Sequence, residues 1–451
     1  MTLGREAHFL RWDRPAAPFP FPTPFNMFNH LKQDLPASIV VFLVALPLCL
    51  GIALASGAAP IAGLIAGIIG GIIVAPISGS HVGVSGPAAG LAVIVYDGIQ
   101  DVGFEAFLMA VVIGGLAQLV LGIARAGIIG KYFPSSVIQG MLAAIGIIIF
   151  IKQIPHGLGY AGAEGTTKAD KVFDVLLLLG DNLAYAAPTA ITVTAVCLVI
   201  LVLWETSFMK AQSFTKVLSG SLVAVLAGVV VHLLTMSGAG ALTAKQLVDV
   251  PTGHAAGGID PAAWGSLLTF PDFSAIGDSA IWILGATIAV VASLETLLCV
   301  EATDKLDPQQ RVTPTNRELL AQGVGNTVSG LIGGLPITQV IVRSSANIQT
   351  GNATKMSAIL HGAWLMVFFL LAPTLLTYIP LGSLAAVLFV VGYKLAKPAN
   401  FKKMYDSGMA AFIPFIVTIL AIVFIDLLKG LGIGLVVALI LGRVLPAKKE
   451  A

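Results

Sequence analysis

The chain has 451 residues, 57% hydrophobic and 11% charged, with a formal net charge of +2 and a mean hydropathy of +0.94. Soluble domains carry about 25% charged residues, so these values exclude an ordinary soluble protein. Apolar runs near ~20 residues recur along the chain, which places it among polytopic helical membrane proteins.

Residues 1–33 read as a cytoplasmic N-terminal extension, expected to be disordered or polyproline-like. They hold Arg5, Arg11 and Arg14, a proline-rich stretch ending at Phe25, and no apolar run of the kind a secretory signal needs. Met27 is an alternative start, because the apolar architecture begins soon after it. Fourteen spans follow, at 35–56, 59–78, 82–98, 104–125, 132–153, 184–206, 214–236, 277–301, 316–333, 337–352, 355–377, 380–396, 407–427 and 430–446. The connection 237–276 divides them into a first set of seven (34–236) and a second (277–446), before a short cytoplasmic tail, 447–451. An odd number per half requires opposite orientations, which is the inverted-repeat logic of many secondary transporters. The expected fold is therefore an all-α polytopic membrane protein, 7+7, with short strands and half-helices at segments 3 and 10.

Charge supports this layout. With the N-terminus inside, 19 Lys or Arg side chains fall on inside segments and span ends. Lys168, Lys171, Lys245 and Lys429 are the 4 outside, and Lys152 and Arg343 lie within or at an edge, completing the 25. Such a bias puts both termini in the cytoplasm, in a bacterial inner membrane.

The apolar pattern is weakest at two places. His81-Val-Gly-Val-Ser-Gly-Pro-Ala88 opens the third span and Gln339-Val-Ile-Val-Arg-Ser-Ser-Ala346 the tenth. Aligned without gaps, both show a polar residue, two valines, then a polar residue at a break. Val82 and Val84, like Val340, Ile341 and Val342, favour extended structure. Ser85 suits an N-cap and Pro87 a first helical turn. The expectation is two strands pairing near the midplane, each leading into a half-helix whose N-terminus faces the other.

Such N-termini offer partial positive charge and unpaired N–H donors, and Arg343 adds a permanent cation. The candidate anion-binding residues are Arg343, Ser344, Ser345 and Val342 at the tenth span, and Ser85, Gly86, Pro87 and Ala88 at the third. Arg343 and Asn347 share a helix face at i, i+4. The alternative role for Arg343 is to neutralise a buried carboxylate, and the candidate is Glu295, well inside span 8. Glu295 can load a proton or help bind Na⁺, either of which would couple anion uptake to a cation gradient. His81, His361, Gln118, Asn316 and Gln322 read as packing, capping or bridging residues, and Pro47 as a kink in span 1. Cys49, Cys197 and Cys299 sit in apolar segments without metal-ligand spacing and read as packing residues. No phosphate-binding glycine loop, nucleophile motif, metal cluster or nucleic-acid face is visible, so no enzyme activity, cofactor or nucleic-acid partner is expected.

These residues also carry a resemblance to the SulP (sulfate permease) family of anion transporters. The matching pieces are Asp34-Leu-Pro-Ala-Ser38 with the proline of Ala45-Leu-Pro47, Ser85-Gly-Pro87, Ser293-Leu-Glu-Thr296, Asn316-Arg-Glu-Leu319 with Ala321-Gln-Gly-Val-Gly-Asn326, and Gly333-Gly-Leu-Pro336 through Arg343-Ser344 to Asn347. The resemblance implies core and gate domains, an anion site between the starts of spans 3 and 10, and a homodimer. Substrates in the family include sulfate, bicarbonate, chloride and dicarboxylates. In a Na⁺-coupled bicarbonate branch, a carboxylate at the position of Glu295 helps hold sodium. Here that residue is Glu rather than Asp, the hydroxyl one turn later is Cys299, and the Gly-Ala-Thr that approaches the ligands is Gln339-Val340-Ile341. These departures leave proton coupling competitive with Na⁺. Most members continue into a cytoplasmic STAS domain, whereas six residues follow Leu445 here, so STAS-mediated dimerisation is not expected in this chain.

The leading expectation is secondary active transport of a small inorganic oxyanion, bicarbonate or sulfate, by symport with H⁺ or Na⁺. The alternatives are a nucleobase or organic-solute symporter of the same fold, and an anion channel or exchanger.

Overall fold

A computed structural model of the chain describes residues 29–444 apart from 132, 162, 164–165, 167–171, 217, 239 and 251–267. The expected N-terminal extension up to residue 28, the alternative start at Met27, part of the connecting loop 237–276 and the tail 447–451 lie outside the described residues. Apolar runs form helices because, in lipid, a helix satisfies its own backbone polar groups. In chain order these are α1 (Leu31–Ala55), α2 (Pro60–Ile77), α3 (Ala92–Val102), α4 (Phe104–Ile123), α5 (Ser135–Lys152), α6 (Pro188–Trp204) and α7 (Gly220–Thr235). After the connecting loop come α8 (Ser279–Leu306), α9 (Thr315–Leu331), α10 (Ile341–Gln349), α11 (Met356–Leu371), α12 (Leu381–Leu395), α13 (Met409–Phe424) and α14 (Leu427–Val444). Each expected span falls on one of these helices.

Among the described residues six helices are long and apolar enough to cross a membrane, or seven if the bent pair Leu179–Tyr185 and Pro188–Trp204 is one span. Most of the rest are short or interrupted. α10 has only 9 residues, and α2 passes through a π-helical turn at Gly70–Val74. The connection between α5 and α6 contains the short helices Ile154–Leu158, Val172–Leu177 and Leu179–Asn182.

The helices pack in two groups that cut across the sequence halves. In one, α1 packs on α2, α10 and α11, and α4 packs on α8, α9 and α3. In the other, α5 packs on α12 and α13, α6 on α7 and α12, and α13 on α14. α1 also touches α7 and α12 of the second group. A salt bridge of 3.3 Å from Lys152 on α5 to Asp97 on α3 crosses between the groups as well.

Two short strands, β1 (Ser85–Pro87) and β2 (Ile337–Gln339), pair antiparallel inside the first group, with Ser85 opposite Gln339, Gly86 opposite Thr338 and Pro87 opposite Ile337. Both strands are wholly buried. The pairing and the two half-helices match the expectation, but the register does not. The second strand precedes Val340–Val342; Ile341 and Val342 are already helical and Val340 is the extended N-cap. Ser85 and Pro87 are strand residues rather than helix cap and first turn, and α3 starts at Ala92 after a 3-10 turn at Ala89–Leu91. Ser85 is therefore equivalent to Ile337 rather than to Arg343, and the gapless match is six residues out of phase. The propensity cost of β-branched residues in a helix is only a few tenths of a kcal/mol, about 0.7 at most, so tertiary contacts override their preference for strands at α10.

Candidate functional site

The strand pair is held by side chains standing in for neighbouring strands. Asn326 of α9 exchanges two hydrogen bonds with the backbone of Ile337: the Ile337 N–H donates to Oδ1 at 2.5 Å and Nδ2 donates to the carbonyl at 3.0 Å. Nδ2 of Asn326 also donates to Gln118 Oε1 at 2.6 Å, and Gln118 Nε2 donates to Ser293 at 3.2 Å, joining α9, α4 and α8. The Gln339 N–H donates to Thr296 Oγ1 at 3.3 Å, and its side chain donates to Thr303 at 2.8 Å. A buried backbone group away from water must find a partner, and polar side chains at helical spacing supply them here.

The first strand is anchored similarly. Ser85 Oγ accepts from Gln322 Nε2 at 2.8 Å. Gln322 also donates to Glu318 at 2.9 Å, and Ser78 donates to the other oxygen of Glu318 at 2.5 Å. Ser344 accepts from the Val84 N–H at 2.9 Å and donates to the Val340 carbonyl at 2.8 Å. Asn347 and Asn352 donate to the carbonyls of Val82 (3.0 Å) and His81 (2.9 Å). The hydroxyls of Ser85 and Ser344, expected to face an anion, are thus engaged with protein. Ser345 is half-buried and Val342 is exposed.

The two half-helix starts carry opposite side-chain charges. At the start of α3, Gly90 donates its backbone N–H to Glu295 of α8. The carboxylate lies so close that a Cβ on Gly90 would sit 2.6 Å from Oε2 and 2.7 Å from Oε1. Oε2 of Glu295 has no hydrogen-bond partner. A carboxylate here interacts favourably with the positive end of the helix dipole.

At the start of α10, the Ile341 N–H is directed at the Cys299 thiol. Arg343 follows in the first turn, 1% exposed, and none of its three guanidinium nitrogens has a hydrogen-bond partner. Its guanidinium lies against β1, where a Cβ on Gly86 would fall 2.1 Å from Nη1. Cys49 of α1, just beyond Pro47, and His361 of α11 also face it.

Glu295 and Arg343 form no salt bridge, contrary to the pairing considered from sequence: none of the ion pairs among the described residues includes either. Glu295 is turned to the N–H of Gly90 and Arg343 to Gly86, so each works on the half-helix or strand of the opposite sequence half. The structure thus gathers Arg343, Gly86, Glu295, Cys299, Gln339, Val340 and Ile341 around one strand pair. Asn326, Thr296 and Thr303 are positioning residues to which the sequence reading gave no role, and Gln118, read there as a packing residue, is a fourth. A signal for them was present: Glu318, Gln322, Asn326 and Ser329 form a polar stripe at helical spacing along α9.

Residues 31–430 match the Sulfate permease family model. YvdB of Bacillus subtilis (strain 168), named as a candidate sulfate transporter, is 28% identical over 92% of this chain and 74% of its own length. The bicarbonate transporter BicA of Synechocystis sp. (strain ATCC 27184 / PCC 6803 / Kazusa) is 27% identical over 92% of this chain and 70% of its own. The transmembrane domain of a cyanobacterial BicA superposes with a TM-score of 0.73 at 24% identity, covering 91% of this chain and 98% of that one, which establishes likeness of fold.

Proposed function

The chain belongs to the sulfate permease family, and on that premise we propose that it moves sulfate or bicarbonate across a bilayer by alternating access. It is an integral membrane anion transporter, in keeping with relatives that are named as transporters of these two anions. The observation that carries the site assignment is Arg343: a buried cation with three unpartnered nitrogens, in the first turn of a half-helix. An unpaired buried charge is costly unless something compensates it, and a transported oxyanion meets that need. The starts of α3 and α10 add the positive ends of two helix dipoles.

We further propose that the coupling ion is H⁺ and that Glu295 carries it. Sodium favours several oxygen ligands. The groups directed at this corner include the Gly90 N–H and the soft Cys299 thiol, which fit a proton on the carboxylate better than a hard cation. The antiparallel strand pair, with one strand from each half, supports a seven-plus-seven inverted repeat. The 19-to-4 distribution of basic residues supports cytoplasmic termini in a bacterial inner membrane, and a homodimer is the assembly we expect.

The test is uptake by proteoliposomes of an anion panel, with Na⁺ and pH gradients imposed separately. Sulfate or bicarbonate uptake driven by a pH gradient and indifferent to Na⁺ is the expected result. Sodium-driven uptake overturns the proton assignment, and failure to carry either anion overturns the transport reading.

A further inference from the structure

The two packing groups end differently on the side where α1 begins. In the first group the basic side chains there are mostly spent on the protein itself. Lys305 pairs with Glu301 at 2.6 Å and Arg311 with Asp307 at 2.7 Å. Lys355 donates to the carbonyls of Pro76 and Ser78 at 2.6 and 3.0 Å, and Arg317 to that of Ile77 at 2.7 Å, closing the end of α2. Lys32 and Arg125 remain, on separate elements.

The second group presents a surplus instead. Between α12 and α13 the chain forms a nine-residue helix, Pro398–Asp406. Its inner face docks on α13: the Phe401 ring meets Phe415 with centroids 5.0 Å apart, and Met404 is buried. Its outer face exposes Lys402 and Lys403, with Lys397 exposed just ahead. None of these three lysines is in a salt bridge among the described residues. Tyr393 and Tyr405 flank them, each 56% exposed. Glu205, at the end of α6, takes Lys210 at 2.7 Å and also Lys394, fastening the α6–α7 connection to α12 beneath this helix.

We propose that this lysine- and tyrosine-bearing helix is a docking surface for acidic phospholipid headgroups. A short amphipathic helix with lysines outward and aromatic rings at its flanks suits the headgroup layer. Clustered juxtamembrane lysines attract anionic lipid at close range. The surface lies on one packing group only, so it holds α5–α7 and α12–α14 to the leaflet while most basic side chains of the other group are held by the protein itself. The leaflet assignment rests on the topology proposed above; the lipid binding does not.

The test uses the full chain in vesicles of phosphatidylcholine, with and without phosphatidylglycerol, and reads thermal stability and lipid retained on mild delipidation. Neither readout requires transport, so a failure here is separable from failure of the transport reading. Wild type should be stabilised by phosphatidylglycerol and retain it, and added salt should weaken both effects. Lys397→Gln/Lys402→Gln/Lys403→Gln should lose that preference by roughly fivefold per lysine while melting normally in phosphatidylcholine. The same three positions changed to Arg should keep it. The proposal is overturned if the Gln variant retains the wild-type preference, or if Lys32→Gln/Lys305→Gln on the other group removes it equally.

Discussion

The half-helices α3 and α10 start from the same strand pair yet present opposite electrostatics. At α3 a carboxylate brought in by α8 occupies the N–H of Gly90. At α10 a guanidinium from the helix itself lies unpartnered against Gly86. A symmetric pair of helix starts would attract an anion equally at both. This pair places a cation at one end and a carboxylate at the other. On the proposed reading the difference separates anion binding from proton coupling, and each half can be attacked alone.

The largest effect should come from Arg343→Ala. Losing a buried charge opposite an anion costs about 2–5 kcal/mol, so sulfate or bicarbonate uptake should fall by more than tenfold; wild-type flux would remove Arg343 from the site. Arg343→Lys keeps charge without the planar fork and should recover only part of the flux. Glu295→Gln should be milder in rate and specific in character. Its carboxamide oxygen still accepts from Gly90, so uptake should persist but lose its response to an imposed pH gradient, and an unchanged response would break the comparison at the α3 end.

The two glycines sharpen it. An Ala at either position forces its charged neighbour to move, at a cost of about 1–3 kcal/mol in a packed interior, visible as a lower melting temperature. Gly86→Ala should chiefly weaken anion affinity, whereas Gly90→Ala should chiefly weaken gradient dependence. Identical phenotypes would mean that the two ends do not act separately.

The smallest effect concerns the turn after α8. Burial alone would raise the Asp307 carboxyl, but hydrogen bonds from the Arg311 guanidinium and from the backbone N–H groups of Gln309 and Arg311 outweigh it and hold the group below the usual carboxylate range. A lowered value in the fold means the group stabilises fully above its unfolded value near ~4. That contribution is lost as pH falls through the lower folded value. The melting-temperature gap between wild type and Asp307→Asn should therefore be constant near neutrality and close in acid; a gap that persists in acid would exclude ionic stabilisation by Asp307.

Much of this is legible in the amino-acid sequence. The helices at the expected spans, the strand–half-helix breaks, and Arg343 and Glu295 as exceptional buried charges follow from composition, hydrophobic runs and the cost of placing ions in lipid. The register was not legible, because Val340-Ile-Val342 satisfies strand preference while belonging to a cap and first turn. What decides is the hydrogen bonding of Asn326 with Ile337, a contact across 11 residues and a helix end. Nor could spacing tell which way Ser85 points; Gln322, 237 residues away, determines that.

The β1–β2 pairing has a consequence for biogenesis. Ser85 meets Gln339 and Pro87 meets Ile337, so β1 finds its partner only after some 250 further residues have been made. Until then the third span has no completed ladder and its half-helix no fixed origin. The early spans must wait in the membrane with a provisional arrangement, and the site comes into being late, in one step, when the tenth span arrives. Closing so distant a contact is intrinsically slow. A chain interrupted before residue 337 would insert most of its apolar length and still lack the strand pair on which the candidate site is built.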